Sequence, residues 1–338
     1  MNIEKASATN TFSSGTRLPD IERAKGLAIL LVVFGHVVAG KAPAENEWYT
    51  VSQQAVYSFH MAFFMFLSGL VFFMRAAPVA SFQEYAVSVR KRFMRLMPAY
   101  FLFAGLVFAG KWGAQTFLHV DNPVEGFADL IGIALFPMQS VSAFLWYIYV
   151  LFLFSITGVA LLTLTKGRIW PLVAIGIVLQ FVPGSSFLGL GQFNKYFLFF
   201  ALGGTAITGW NTYTGWVDRL WVLAFLSLAI VLIAGIYTGQ GWIIAALLSI
   251  PALHGLCRRE FPGGRVLLFV GGLTFSIYLM NTMAIGVSKA ILLKFVSWDG
   301  LNFVFVFLPI LMTAGVLIPI AMKKFVFPRI RWLDQITS

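Results

Sequence analysis

Lys25 and His36 stand eleven residues apart with only apolar or small residues between them. On an α-helix, eleven steps of about 100° return the two side chains to nearly one face, about 16 Å apart along the axis. Glu22 falls within about 40° of the same stripe. A neutral imidazole can remove a proton from a hydroxyl near neutral pH, and an ionisable group inside an apolar stretch marks a functional site by default. Lys25 is a compact charge suited to a phosphate or carboxylate. The plain alternative is a structural histidine and a lysine that only anchors a helix end.

Four further stretches carry polar chemistry. His60 lies in Phe59-His60-Met61-Ala62-Phe63, at the start of a second apolar run. If the two runs are antiparallel neighbours, His36 and His60 reach similar depth and can act as a base and its orienting partner. No third His, Cys or carboxylate sits at a ligand spacing, so no metal is expected. Arg92 and Arg95 are three apart and project from one side of a helix, where their forked donors could hold phosphates. Trp146, in Leu145-Trp146-Tyr147-Ile148-Tyr149, could anchor a membrane edge or stack on a sugar ring. Ser276, Tyr278 and Asn281 bring polar groups into a late apolar run, where they need partners or a cavity.

The elements that position these residues are membrane helices. The chain has 338 residues, 59% hydrophobic and 11% charged, with mean hydropathy +0.85. Apolar stretches of about 20 residues recur along it. Ten spans are expected: 25–41, 54–75, 96–113, 143–165, 169–184, 193–209, 218–238, 241–257, 266–292 and 301–322. This is an all-α, polytopic bundle of about ten transmembrane helices with both termini cytoplasmic. That orientation places nineteen Lys and Arg residues inside and leaves Lys41, Lys111, Lys195, Lys289 and Lys294 outside. The net charge of +11 therefore reads as topology and contact with anionic membrane lipids, not as nucleic-acid binding.

Residues 1–16 read as a disordered cytoplasmic tail, 17–323 as one membrane domain and 324–338 as a cytoplasmic C-terminal tail. Ala42-Pro43-Ala44 loosely matches a signal-peptidase site. The long polar leader and the histidine in the apolar run argue that the first helix is retained. The outer stretch Phe127–Met138 is too short to span and is expected at the interface or as a re-entrant segment. The single cysteine, Cys257, excludes an intrachain disulfide.

Taken together, the five stretches resemble the membrane-bound acyltransferase-3 family. Lys25 and His36 match its Arg/Lys-x10-His motif, and Phe59, His60 and Met61 its second-helix opening, with Ala62 where proline is usual. Arg92 and Arg95 match its R-x-x-R motif. Trp146-Tyr147-Ile148 is similar to its Trp-Phe-Leu stretch. Ser276 to Asn281 is similar to its late Ser-x-Tyr-Leu-x-His stretch, with Asn281 at or near the histidine. The resemblance implies transfer of an acetyl or other short acyl group from cytoplasmic acyl-CoA, typically acetyl-CoA, to a hydroxyl of a bacterial exopolysaccharide, O-antigen or lipid-linked saccharide.

On that reading His36 is the general base, with His60 beside it. Lys25, Arg92 and Arg95 hold donor phosphates, and Glu22, Trp146 and Tyr278 are substrate contacts. The location is the bacterial inner membrane, with polysaccharide-assembly proteins as partners. The alternative from another class is a proton-coupled transporter of a sugar or organic anion, which also suits a buried histidine. Inverted repeats and paired broken helices, which would favour transport, are absent from the sequence.

Overall fold

The computed structural model describes residues 18–40, 42–117, 120 and 122–337. The expected tail 1–16 lies outside them. Among the described residues the chain is helical and contains no strand. In chain order the helices are α1 (Pro19–His36), α2 (Glu47–Phe73), α3 (Phe82–Ala114), α4 (Ala128–Leu135), α5 (Trp146–Leu164), α6 (Trp170–Leu179) and α7 (Leu190–Thr208). Then follow α8 (Trp210–Ile233), α9 (Trp242–Arg258), α10 (Gly264–Gly271), α11 (Thr274–Leu292), α12 (Gly300–Arg329) and α13 (Arg331–Ile336). Helix α12 is continuous but contains π-helical turns at Phe303–Phe307 and Met322–Val326.

Each of the ten expected spans falls on a helix, but seven of these helices are long and apolar enough to cross a membrane. The other three depart for physical reasons. Helix α1 carries Asp20, Glu22, Arg23 and Lys25 in its first two turns. Helix α6 has only 10 residues, and α7 opens on the polar residues Gln192, Asn194 and Lys195. The expected span 266–292 is broken. Gly271 lies against the backbone of Glu22, and a Cβ there would overlap the Glu22 carbonyl. The chain turns at this contact, and Thr274 Oγ1 donates to Gly271 O at 2.7 Å where α11 begins.

Helix α2 is the axis of the bundle: 78% of its most apolar window is buried, against 22% for α8, whose outer face is left to lipid. It packs on α1, α5, α7 and α9. Its closest approach is to α7, where Gly69 and Gly203 leave no room for a side chain. A Cβ on either would overlap backbone atoms of the other helix. Small residues at such crossings let membrane helices gain dispersion contact where hydrophobic burial offers nothing.

The inner ends of α1, α8 and α9 are tied by Arg258. Its Nη1 donates to Asp20 Oδ2 at 2.8 Å, while Nε and Nη2 grip both Asp218 oxygens at 3.0 and 2.8 Å. His254, fully buried, accepts or donates at Nδ1 to the Tyr213 hydroxyl at 2.7 Å beside this clamp. The segment after residue 323 is folded back: Lys323 Nζ pairs with Asp334 at 2.7 Å, and Ser276 Oγ donates to Thr337 O at 2.8 Å. The stretch around 127–138 forms α4, an eight-residue outer helix held by Tyr100 and Tyr149, whose hydroxyls donate to Ile133 O and Ala134 O. Phe127 and Ile131 stay exposed, as an interfacial helix requires.

Gly203→Val should destabilise the protein by about 1–3 kcal/mol or more, the cost of overpacking. Gly105→Ala should be neutral or stabilising, because its Cβ meets nothing within 4 Å and alanine favours the helix. Thermal unfolding of the two variants in detergent checks both.

Candidate active site

Helix α1 ends at His36; the Val37 N–H donates to Phe34 O at 3.3 Å, and the carbonyls of Gly35 and Val38 find no backbone donor among the described residues. Three side chains of α2, spaced by four residues, fill that need. The Tyr49 hydroxyl donates to Phe34 O, Gln53 Nε2 donates to Gly35 O and Val38 O at 2.6 and 2.8 Å, and the Tyr57 hydroxyl donates to Gly35 O at 2.7 Å. Gly35 is required here, because a Cβ would overlap the Tyr57 ring. The end of α1 is thereby fixed against α2, and His36 with it.

The imidazole is held from the other side by α11. His36 Nδ1 lies 2.7 Å from Asn281 Oδ1 and 3.1 Å from Thr282 Oγ1. Asn281 is fully buried and spends its Nδ2 hydrogens on the carbonyls of Ile277 and Tyr278 at 3.0 and 2.9 Å. Its Oδ1 is therefore an acceptor, which assigns the proton of the neutral ring to Nδ1. The lone pair is left on Nε2, which has no hydrogen-bond partner among the described residues, and the residue is only partly buried. The arrangement is that of a general base: one nitrogen oriented by a fixed acceptor, the other open to a substrate proton.

His60 sits beside this centre. Its ring stacks on Tyr57 with centroids 5.2 Å apart, and the two histidines are within electrostatic reach of each other. His60 Nδ1 is turned to Val56 O on its own helix at 2.8 Å, so it does not orient His36. Asn281 fills that place. Phe144 lies edge-on to His36 at 6.2 Å, and its carbonyl accepts the Tyr278 hydroxyl. Tyr147 packs between Tyr278 and Phe64 and pairs its hydroxyl with Ser68 Oγ at 2.6 Å. The Tyr278 hydroxyl is committed to the protein backbone. Trp146 is half-buried and stacks on Tyr196 at 5.4 Å.

The cations expected to hold donor phosphates lie at the other end of the bundle from His36. Lys25 pairs with Glu22 at 2.8 Å, about 16 Å of helix below His36. Arg92 lies over the Phe72 ring at 4.3 Å, half-buried, with its Nε buried and unpartnered. Phe72 is twelve residues along α2 from His60, about 18 Å. Arg95 is exposed, so the two arginines do not share one environment. The structure thus separates an inner rim of cations from an outer pair of histidines, with the rim about equally far from both. Among the described residues no three His, Cys, Asp or Glu side chains converge as metal ligands.

Thr282, Phe144, Ser68 and the Tyr49–Gln53–Tyr57 row were not anticipated. The row had a readable signal: three hydrogen-bonding side chains at i, i+4 and i+8 in an otherwise apolar helix, facing the end of α1.

Comparison with known proteins gives the family of the chain. The model of the acyltransferase domain family, acyltransferase-3, matches residues 18–323. Nodulation protein NolL of Sinorhizobium fredii is similar, being 28% identical over 177 residues that cover 51% of this chain and 44% of that protein. The similarity thus spans less than half the length of that curated relative. No solved structure matches. The family match runs from the start of α1, through both histidines and Arg92, to Lys323 in α12, and the chain belongs to the acyltransferase-3 family.

Proposed function

We propose that this protein is a multi-pass O-acyltransferase of the bacterial inner membrane, moving an acetyl or other short acyl group from cytoplasmic acyl-CoA to a glycan hydroxyl. The observation that carries this reading is the hold of Asn281 on His36 Nδ1, which leaves Nε2 free as a base. The acceptor hydroxyl gives its proton to Nε2 while its oxygen attacks the thioester carbonyl. The C–S bond then breaks, and the thiolate of CoA recovers the proton from the imidazolium. Neither Asn281 nor Thr282 titrates in this cycle, and both keep the ring in one orientation.

The donor enters from the inner side. Arg92, with a buried donor atom lacking a partner, and Lys25 supply cations for its phosphates, and the extended arm of CoA covers the distance to the histidines. The acceptor is a bacterial exopolysaccharide, O-antigen or lipid-linked saccharide approaching from the outer end. Polysaccharide-assembly proteins would deliver or remove it. A proton-coupled transporter would have no use for a thioester, so acyl-CoA cleavage distinguishes the two classes.

Radiolabelled acetyl transfer from acetyl-CoA, with protein in vesicles and crude glycan as acceptor, tests the assignment. Wild type should move label, and His36→Ala, inserted at equal level, should not. Full activity of His36→Ala would remove it as the base. Asn281→Ala should lower kcat by about tenfold or more, since it strands the Nδ1 hydrogen and frees the ring to rotate. Arg92→Gln should raise KM for acetyl-CoA by about tenfold while changing kcat little, as expected when a phosphate contact is made equally in ground and transition states.

A further inference from the structure

At the outer end of the bundle, the close of α6, the opening of α7 and the turn into α9 enclose a cleft of about 330 Å³. Gln180, Asn194, Lys195, Gln240 and Trp242 are in its lining. Neither histidine is. The walls are braced. Gln180 Nε2 donates to the carbonyls of Gly176, Asn194 and Lys195 at 3.1 to 3.3 Å, tying α6 to α7. Asn194 Nδ2 donates to Val182 O at 3.3 Å. Gly184 and Gly191 cross so closely that a Cβ on Gly184 would overlap Gly191.

Lys195 is the unusual member. It is half-buried, with its amine 4.5 Å from the Trp242 ring centre and 5.4 Å from that of Tyr196. Two π faces replace part of its lost hydration. Among the described residues no carboxylate pairs with it. A lysine that served only to mark the membrane edge would extend its amine toward the headgroups. This one is drawn back over two rings inside a cleft, a cation held ready without its anion. A series of packed rings connects the cleft wall to the residues around His36. Tyr196 stacks on Trp146, the next residue is Tyr147, and Tyr147 packs on Tyr278. Lys195 is within electrostatic reach of His60.

We propose that this cleft is the acceptor subsite and that the acceptor is an anionic saccharide, its carboxylate or phosphate held by Lys195 and a ring face stacked on Trp242. The inference rests on the transfer reading above and narrows its substrate class. The anion could come from an acidic sugar residue or from the phosphate of a lipid-linked sugar. Both are the same chemistry at Lys195.

The test is direct binding, which does not require turnover. Protein in nanodiscs is titrated by calorimetry with three probes: a uronate-containing oligosaccharide, its methyl-ester counterpart, and a polyprenyl phosphosugar. Wild type should bind at least one anionic probe about tenfold or more tightly than the neutral ester. Lys195→Gln should remove that preference, Lys195→Arg should restore most of it, and Lys294→Gln, an exposed outer lysine away from the cleft, should leave it intact. Which anionic probe wins identifies the source of the charge. The proposal is overturned if all three probes bind alike, if none binds, or if folded Lys195→Gln, judged by an unchanged melting curve, keeps the preference. Acetyl-CoA cleavage, assayed separately on the same samples, reports on the transfer reading, so either can fail alone.

Discussion

In hydrocarbon a helix end has no water to satisfy its last carbonyls, and each one left bare costs several kcal/mol. The end of α1 lies under this constraint at His36, the proposed base. The remedy is a row of donors from α2, and it fixes more than a helix terminus. Because Tyr49, Gln53 and Tyr57 must reach Phe34 O, Gly35 O and Val38 O, α2 has to run past the end of α1. The overrun sets His60 beside His36, and Tyr57 serves twice, as a donor to Gly35 and as the surface on which His60 stacks. The same need for backbone satisfaction thus decides where both histidines sit.

Asn281 is held by a related logic. A buried amide must satisfy two donors and an acceptor: the carbonyls of Ile277 and Tyr278 take its hydrogens, and the neighbouring Thr282 hydroxyl donates to its oxygen at 3.1 Å. The same oxygen lies 2.7 Å from His36 Nδ1, the one ring nitrogen close to it. A histidine at that place could take either tautomer and could itself be charged. An amide with both hydrogens committed cannot, so its direction of hydrogen bonding is fixed by neighbours that do not titrate. On the proposed reading, Asn281 orients the ring through an amide that does not titrate.

Much of this was legible from residue types and spacing. The Lys25–His36 stripe, the antiparallel approach of His60 and the basic inner rim follow from helical periodicity and from the asymmetry of Lys and Arg between the two sides. Less legible were the features that depend on which helix meets which. That Gly271 abuts Glu22, and so breaks the late span in two, cannot be read from a window of hydropathy in which Gly271 and Gly272 are merely small. The length of α1 was misjudged at both ends, because its charged first turns are bundle-facing and clamped by Arg258 at Asp20, not solvent-facing. Lys195 looked like one of five outer lysines. Its placement in a cleft, over both Trp242 and Tyr196, is not readable from spacing; Lys289 likewise lies over a ring, that of Trp298.

The two ends of the bundle solve opposite electrostatic problems, and that contrast orders the site. At the inner end the cations are answered by protein anions: Arg258 by Asp20 and Asp218, Lys25 by Glu22, Lys323 by Asp334. Arg92, Arg23 and Lys324 depart from this pattern: the Arg92 guanidinium is met by an aromatic face and its Nε by nothing, Arg23 Nε is also buried without a partner, and Lys324 rests on the Phe269 ring. At the outer end Lys195 is in the same condition. A membrane protein has strong reason to neutralise a half-buried charge, since desolvation is paid whether or not a partner is present. Arg92 and Lys195 each rest on an aromatic ring, with no carboxylate partner among the described residues, and lie toward opposite ends of the bundle. On the proposed reading, a reaction that brings one anionic substrate from each face of the membrane to the histidines would give both charges their partners.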